Sequence, residues 1–272
     1  MTDWNLDRSF EYHGDAVRYG VVGSGPDLLL VHGTPFSSYV WHRILPAVSR
    51  RWRVHLFDLL GYGQSAKRDG QDVSLGVQNR VLTALLAHLG LDRPTVVAHD
   101  FGGATTLRAH LIDGCEFERM LLIDPVAIRP WGSPFVKHVG QHEAAFQGIP
   151  GYIHEAMVAR YLRGAIARDM AEAALAPYIA PWLGAVGQPA FYRQIAQMDE
   201  RYTDEIEDRL DRIRCPVAIL WGEEDRWIPV AQATKLQAKI PDSRLRLVAK
   251  AGHLMQEDAP EAILAAIYDL GT

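Results

Sequence analysis

The stretch Thr95-Val96-Val97-Ala98-His99-Asp100-Phe101-Gly102-Gly103-Ala104 decides the fold. It opens as a short apolar strand, Pro94 to Ala98, and from about Gly102 to Leu111 its apolar residues take helical spacing. Strand and helix are therefore joined by a turn of very few residues. Ala98 and Gly102 stand two positions either side of Asp100. A turn this sharp needs such small neighbours, because its central residue is strained and thrust outward. Two readings of Asp100 stay open from this stretch alone. It is either a nucleophile presented at the apex of the turn or an aspartate capping the helix N-terminus.

Outward from this turn the same alternation recurs. Leu28–Val31 is an apolar strand, Ser37–Val48 reads as a helix, Arg53–Asp58 as a strand, and Leu75–Leu89 as a helix stopped by Gly90. Arg119–Ile123 is a strand. After a long gap come strand Pro216–Trp221, helix Val230–Lys239, strand Ser243–Val248 and helix Ala259–Leu270. Short apolar strands alternating with helices predict an α/β fold with a mostly parallel sheet covered on both faces. The gap, 130–212, has helical spacing and several prolines but no strand pattern. The expected organisation is a core of 1–129 and 213–272 with a helical cap, or lid, at 130–212. Such an insertion after a strand's C-terminal end lies over the edge where open α/β sheets bind ligands.

Composition narrows the function. The 272 residues are 48% apolar and carry a formal net charge of −5, so no basic field is available for nucleic acid or anionic lipid. The segment Met1–Arg8 is acidic and lacks the apolar stretch of a signal peptide, and no run approaches membrane-spanning length. Two cysteines, Cys115 and Cys215, imply no disulfide framework, and a reducing, cytoplasmic setting is expected. The partners expected are an apolar small molecule and water, with no nucleic acid or membrane. Gly20–Gly25 resembles a phosphate loop but precedes a strand, so it reads as a hairpin turn. His138 and His142 are spaced to share a helix face, but no further ligand pattern accompanies them, and no metal or cofactor is expected. Ser65 follows the wrong strand for a nucleophile and reads as a turn serine.

Three further groups stand just past strand ends: His32-Gly33-Thr34-Pro35, Asp225 in Glu223-Glu224-Asp225, and His253 in Ala251-Gly252-His253. Nucleophile, acid and histidine in that order resemble the α/β-hydrolase fold. More narrowly, His99-Asp100-Phe101-Gly102-Gly103 and His32 through Trp41 resemble the Asp-nucleophile branch of haloalkane dehalogenases, fluoroacetate dehalogenases and epoxide hydrolases. In that fold the insertion follows the sixth core strand. The resemblance implies Asp100 as nucleophile, His253 as base, Asp225 as its orienting acid, and an oxyanion hole from the N–H groups of Thr34 and Phe101. Glu223 and Glu224 compete with Asp225 on proximity alone.

An aspartate changes the reaction. A carboxylate is ionised at neutral pH and can attack an sp³ carbon directly, leaving an alkyl-enzyme ester that histidine-activated water hydrolyses. The leaving group separates the branches. Haloalkane dehalogenases carry Trp after the nucleophile and often Asn after His-Gly; here these are Phe101 and Thr34. Fluoroacetate dehalogenases carry Arg where Phe101 stands. Phe191-Tyr192-Arg193 resembles the aromatic-Tyr-Arg segment of epoxide hydrolases, which makes Tyr192 the candidate proton donor. Tyr152 and Tyr161 compete for the place of a second tyrosine, although each suits ordinary packing in the lid better. With His32, Phe36, Trp131 and Trp182 they are expected around an apolar pocket. The leading expectation is an epoxide hydrolase-like enzyme. Dehalogenation at a non-standard halide site, ester or carbon–carbon hydrolysis, and a non-catalytic binding role on the same scaffold are the alternatives.

Overall fold

In the computed structural model, which describes residues 4–270, the first strands are β1 (Arg8–Tyr12) and β2 (Asp15–Val22), an antiparallel pair. Met1–Asp3, part of the segment weighed above as a leader, lies outside the described residues. Neither strand stands out as an apolar run. Each buries only alternate side chains, Phe10 in one and Val17 and Tyr19 in the other, which is the pattern of an edge with one wet face.

The inner strands are the expected apolar runs, β3 (Asp27–Val31), β4 (Arg53–Phe57), β5 (Thr95–His99), β6 (Arg119–Ile123) and β7 (Val217–Gly222), and β8 (Arg244–Val248), largely exposed, forms the far edge. The order across the sheet is β1-β2-β4-β3-β5-β6-β7-β8, with β3 to β8 all parallel. Residues Leu28–Val31 are fully buried between β4 and β5, each apolar side chain contributing ~1.5–3 kcal/mol. The glycine turn at Gly23–Gly25 is not a hairpin. It leads from β2 to β3, but β2 pairs with β4, so the chain crosses past a strand instead of folding back on its neighbour.

The helix expected over Ser37–Val48 is broken into a 3-10 turn, Ser38–Trp41, and a short α1 (Leu45–Val48). Pro46 lacks the N–H that a continuous helix would need there. Next come α2 (Leu75–Leu89), which ends on Gly90 in the left-handed region, and α3 (Phe101–Leu111). Between β6 and β7 the chain forms α4 (Pro134–Gln147), α5 (Gly151–Arg163), α6 (Glu172–Ile179), α7 (Gly184–Ala196) and α8 (Arg201–Glu207). The chain closes with α9 (Ala231–Lys239), α10 (Met255–Asp258) and α11 (Pro260–Leu270).

Polar side chains sew the α4–α8 insertion to the sheet domain. Trp182 donates its indole N–H to the Pro35 carbonyl (2.7 Å), and Gln197 bonds both the Val73 N–H and the Gln71 carbonyl. The buried Arg108 of α3 donates to Asn79 and pairs with Glu205 of α8 (2.8 Å). Among the described residues no helix is long and apolar enough to cross a membrane, and both cysteines are free.

Candidate active site

Three strand ends converge above the sheet. Asp100 follows β5 with φ +52° and ψ −118°, a conformation L-residues rarely adopt, and α3 starts at the next residue. The turn is possible because Gly102 has no side chain: a Cβ there would stand 2.4 Å from the Val31 carbonyl oxygen. Gly33 is needed for the same reason, since a Cβ would fall 2.4 Å from the Asp100 carboxylate. The alternative of a simple helix cap does not describe Asp100, whose side chain makes no capping bond to α3. Instead Oδ1 accepts the Thr34 backbone N–H (2.7 Å), and Oδ2 lies 3.3 Å from His253 Nε2.

His253 is fully buried, on the loop after β8. Its Nδ1–H donates to Asp225 Oδ2 (2.8 Å), while Asp225 Oδ1 accepts the N–H groups of Trp227 and Ile228. These bonds fix the carboxylate, which in turn fixes the ring and its tautomer. Glu223 and Glu224 are exposed, leaving Asp225 as the acid that reaches the histidine. Nε2 and Asp100 Oδ2 make a close charge contact and are not aligned as a hydrogen bond. Burial pulls the His253 pKa down, but the charges of Asp225 and Asp100 and the hydrogen bond to Asp225 outweigh it and hold it well above the ordinary histidine value.

A cavity of about 40 Å³ opens onto Asp100, lined by Thr34, Phe101, Val126, Trp131, Tyr161, Met198, Trp227 and Ile228 among others. Tyr161 and Trp131 therefore share this cavity with the carboxylate. Burial, with the Asp100 charge beside it, pushes the Tyr161 phenol well above its usual range, so it keeps its proton at any working pH. The N–H of Phe101 is the first of α3 and has no acceptor within the helix, as a second oxyanion donor requires.

Other expected pocket residues lie elsewhere. Tyr192 is buried, but its hydroxyl bonds His154 Nδ1 (2.9 Å), whose Nε2–H donates to the Trp182 carbonyl. The reason is helical phase. The face of α7 directed at the sheet domain carries Gln194, whose Oε1 accepts from Thr34 Oγ1 and Tyr62 Oη, while Tyr192 points about 100° per residue away, between α4 and α5. Tyr152 is 75% exposed and lines nothing. His32 is buried behind the cavity, its Nδ1 on the Gly33 carbonyl and its Nε2 accepting the Leu59 N–H. Phe36 stacks on the far face of Trp227, and Trp182 packs against Tyr62 and Phe191. His138 and His142 lie ring to ring, 4.8 Å apart, at a kink in α4.

Four functional neighbours escaped the sequence reading. Trp227 covers His253 with ring centroids 5.0 Å apart. His99 donates from Nε2 to the His253 carbonyl (2.9 Å), and burial, then the His253 charge, lowers its pKa to about 4. Tyr62 faces Gln194. Asp124, at the end of β6 with φ +40°, accepts the Gly222 N–H; burial and the neighbouring Asp225 charge raise its pKa well above the usual carboxylate range. Its position past a strand end was the signal available.

Residues 28–266 match the model of the alpha/beta hydrolase family. A crystal structure of an alpha/beta hydrolase fold protein from Burkholderia ambifaria is 53% identical, superposes with a TM-score of 0.95, and covers 97% of this chain and 98% of its own. Haloalkane dehalogenase 2 of Mycobacterium tuberculosis is 27% identical over 281 residues, covering 96% of this chain and 93% of that protein. The structure of the epoxide hydrolase CorEH without ligand has a similar fold, with a TM-score of 0.76 at 21% identity over 97% of each chain. The match over nearly the whole sheet domain and insertion, on top of the converging strand ends, means that the chain belongs to the α/β-hydrolase family.

Proposed function

We propose that the protein is a hydrolase that opens small apolar epoxides through a covalent ester on Asp100. One observation carries the reading: a carboxylate held by a backbone N–H has a histidine base 3.3 Å away and shares its cavity with a protonated tyrosine. Asp100 Oδ2 attacks the less hindered ring carbon as the carbon–oxygen bond breaks, and Tyr161 gives its proton to the departing alkoxide. Tyr161 thus takes the role that the sequence assigned to Tyr192. Esterification removes the Asp100 charge, which lowers the proton affinity of His253 and readies it as a base. His253 Nε2 then takes a proton from water as that water attacks the ester carbonyl carbon. The Thr34 and Phe101 N–H groups hold the oxyanion at Oδ1, and Asp225 stabilises the imidazolium. Collapse of the intermediate expels the diol alkoxide, which takes the proton from His253, and the proton left on the Asp100 carboxyl returns to the Tyr161 phenolate, restoring both groups.

The arrangement disfavours halide as leaving group. Phe101 has no side-chain N–H and the indole N–H of Trp131 is committed to Thr203, which leaves Trp227 as the other indole of the cavity lining. The aromatic and aliphatic lining, with Phe101, Val126, Trp131, Tyr161 and Trp227, favours an apolar molecule.

Intact-mass spectrometry of a His253→Gln variant incubated with epoxides and haloalkanes tests the reading. An adduct equal in mass to a whole epoxide is expected. An alkyl adduct lacking its halogen would replace ring opening by dehalogenation, and no adduct from either panel would refute the covalent mechanism.

A further inference from the structure

We infer that Asp258 is a positioning residue that ties the helical insertion to the histidine loop, so that His253 is aligned for ester hydrolysis through the seating of that insertion. The inference rests on the covalent mechanism proposed above. Asp258 ends α10, five residues past His253, and is 1% exposed. Three backbone N–H groups, rather than a cation, hold its carboxylate. Oδ2 accepts from Ala167 (2.8 Å) and Gly252 (2.8 Å), and Oδ1 from Arg168 (3.2 Å). A buried carboxylate is stable only with such charge-assisted bonds.

The partners belong to two different parts of the chain. Ala167 and Arg168 lie in the insertion, between α5 and α6, whereas Gly252 immediately precedes His253. On the other side of the histidine, the Leu254 N–H donates to the Ala165 carbonyl (2.8 Å). One insertion segment, 165–168, is thereby bonded on both sides of His253: through the Asp258 carboxylate before it and directly after it. The contact is close enough to need glycine. A Cβ on Gly252 would stand 2.8 Å from the Ala165 carbonyl oxygen and 2.9 Å from the Ala167 nitrogen. Beside it, Glu257 accepts the Tyr178 hydroxyl (2.5 Å), a second tie from α10 to the insertion.

Asp225 and His99 fix the histidine from the sheet domain, one by its ring and the other by its carbonyl. The segment 165–168 fixes the flanking backbone from the insertion. His253 is not needed for attack on the substrate carbon, only for hydrolysis of the ester. Loosening Asp258 should therefore slow the second half-reaction while leaving the first intact.

Two variants test this from opposite sides, each on the full chain. Asp258→Asn keeps the shape but turns an N–H toward donors; Gly252→Ala keeps the carboxylate but wedges the segments apart. With an epoxide that forms an adduct on His253→Gln, each variant should lose about tenfold to a hundredfold in kcat, the scale set by misplacing a catalytic group. KM should fall by the same factor, leaving kcat/KM within about twofold, because kcat/KM reports only the steps through alkylation. The ester should accumulate to near one per molecule by intact mass. Loss of kcat/KM in parallel with kcat, without ester, would reduce Asp258 to a structural role and overturn the inference, as would unchanged kinetics in both variants. If Asp258→Asn does not fold, Gly252→Ala decides on the same criteria. Absence of any adduct on His253→Gln is the separate result that removes the covalent mechanism and this inference with it.

Discussion

His99 offers the sharpest quantitative prediction. Its side chain is wholly buried beneath His253, donates one hydrogen bond to the His253 carbonyl, and has its pKa lowered from 6.5 to about 4, chiefly by burial. A base that is harder to protonate when folded favours the native state above its unfolded pKa. That advantage is lost as pH falls from about 6.5 toward about 4, where only the unfolded chain takes up the proton readily. Each tenfold change in proton affinity is worth ~1.4 kcal/mol, so the loss by pH 4 is about 3 kcal/mol, a large share of a typical domain's stability. The perturbation is His99→Gln, which retains an N–H donor but does not titrate. Urea unfolding followed by tryptophan fluorescence at several pH values between 4 and 7 gives the difference between the two proteins. Other groups, including Asp124 with its opposite slope over this window, are common to both and cancel. The variant should gain about 3 kcal/mol on the wild type between pH 7 and pH 4. A difference that stays constant with pH would refute the assignment of His99 as a buried neutral imidazole.

Three other outcomes are expected. Tyr161→Phe should lower the rate of ring opening by about 10²–10⁴-fold, whereas Tyr192→Phe should leave that rate nearly unchanged and cost about 1 kcal/mol of stability through the lost bond to His154, both read by turnover and denaturant unfolding. Because Asp225 and Asp100 raise the His253 pKa, its ion pairing stabilises the fold fully below the unfolded value of 6.5 and is lost as pH rises through the folded value. In Asp100→Asn the decline in stability on the alkaline side should be shallower, with hydrolase activity abolished and the mass checked for reversion. Gly102→Ala should destabilise the protein by more than ~3 kcal/mol or prevent soluble expression, since its Cβ would meet the carbonyls of Val31 and His32, neither of which is free to move.

The five strands β3 to β7 were readable because each is buried along most of its length and so needs a nearly continuous apolar run; β8 is an exposed edge whose Arg and Leu alternate, and it was placed by its position in the strand–helix alternation. β1 and β2 were not readable, because a half-exposed pair requires only alternate apolar residues. The position of Asp100 was legible for a local reason: the strain of its backbone demands small residues at fixed offsets, and Ala98 and Gly102 supply them. Asp225 and His253 were legible as polar groups just beyond strand ends. Asp124 has the same kind of position, yet nothing local separates an acid facing His253 from one bonded to a neighbouring strand's N–H.

The sequence by itself determined the parallel sheet and the strained turn at Asp100, because these follow from burial and backbone sterics acting over a few residues; the succession of aspartate, acid and histidine was legible through the resemblance to the α/β-hydrolases. Tertiary structure alone decided which insertion side chains reach the carboxylate. Tyr192 and Gln194 are two residues apart on α7, and either could be turned toward Asp100 by rotating the helix. That rotation is set by packing against α4 and α5 and by the hydroxyls of Thr34 and Tyr62, none of which is near α7 in the chain.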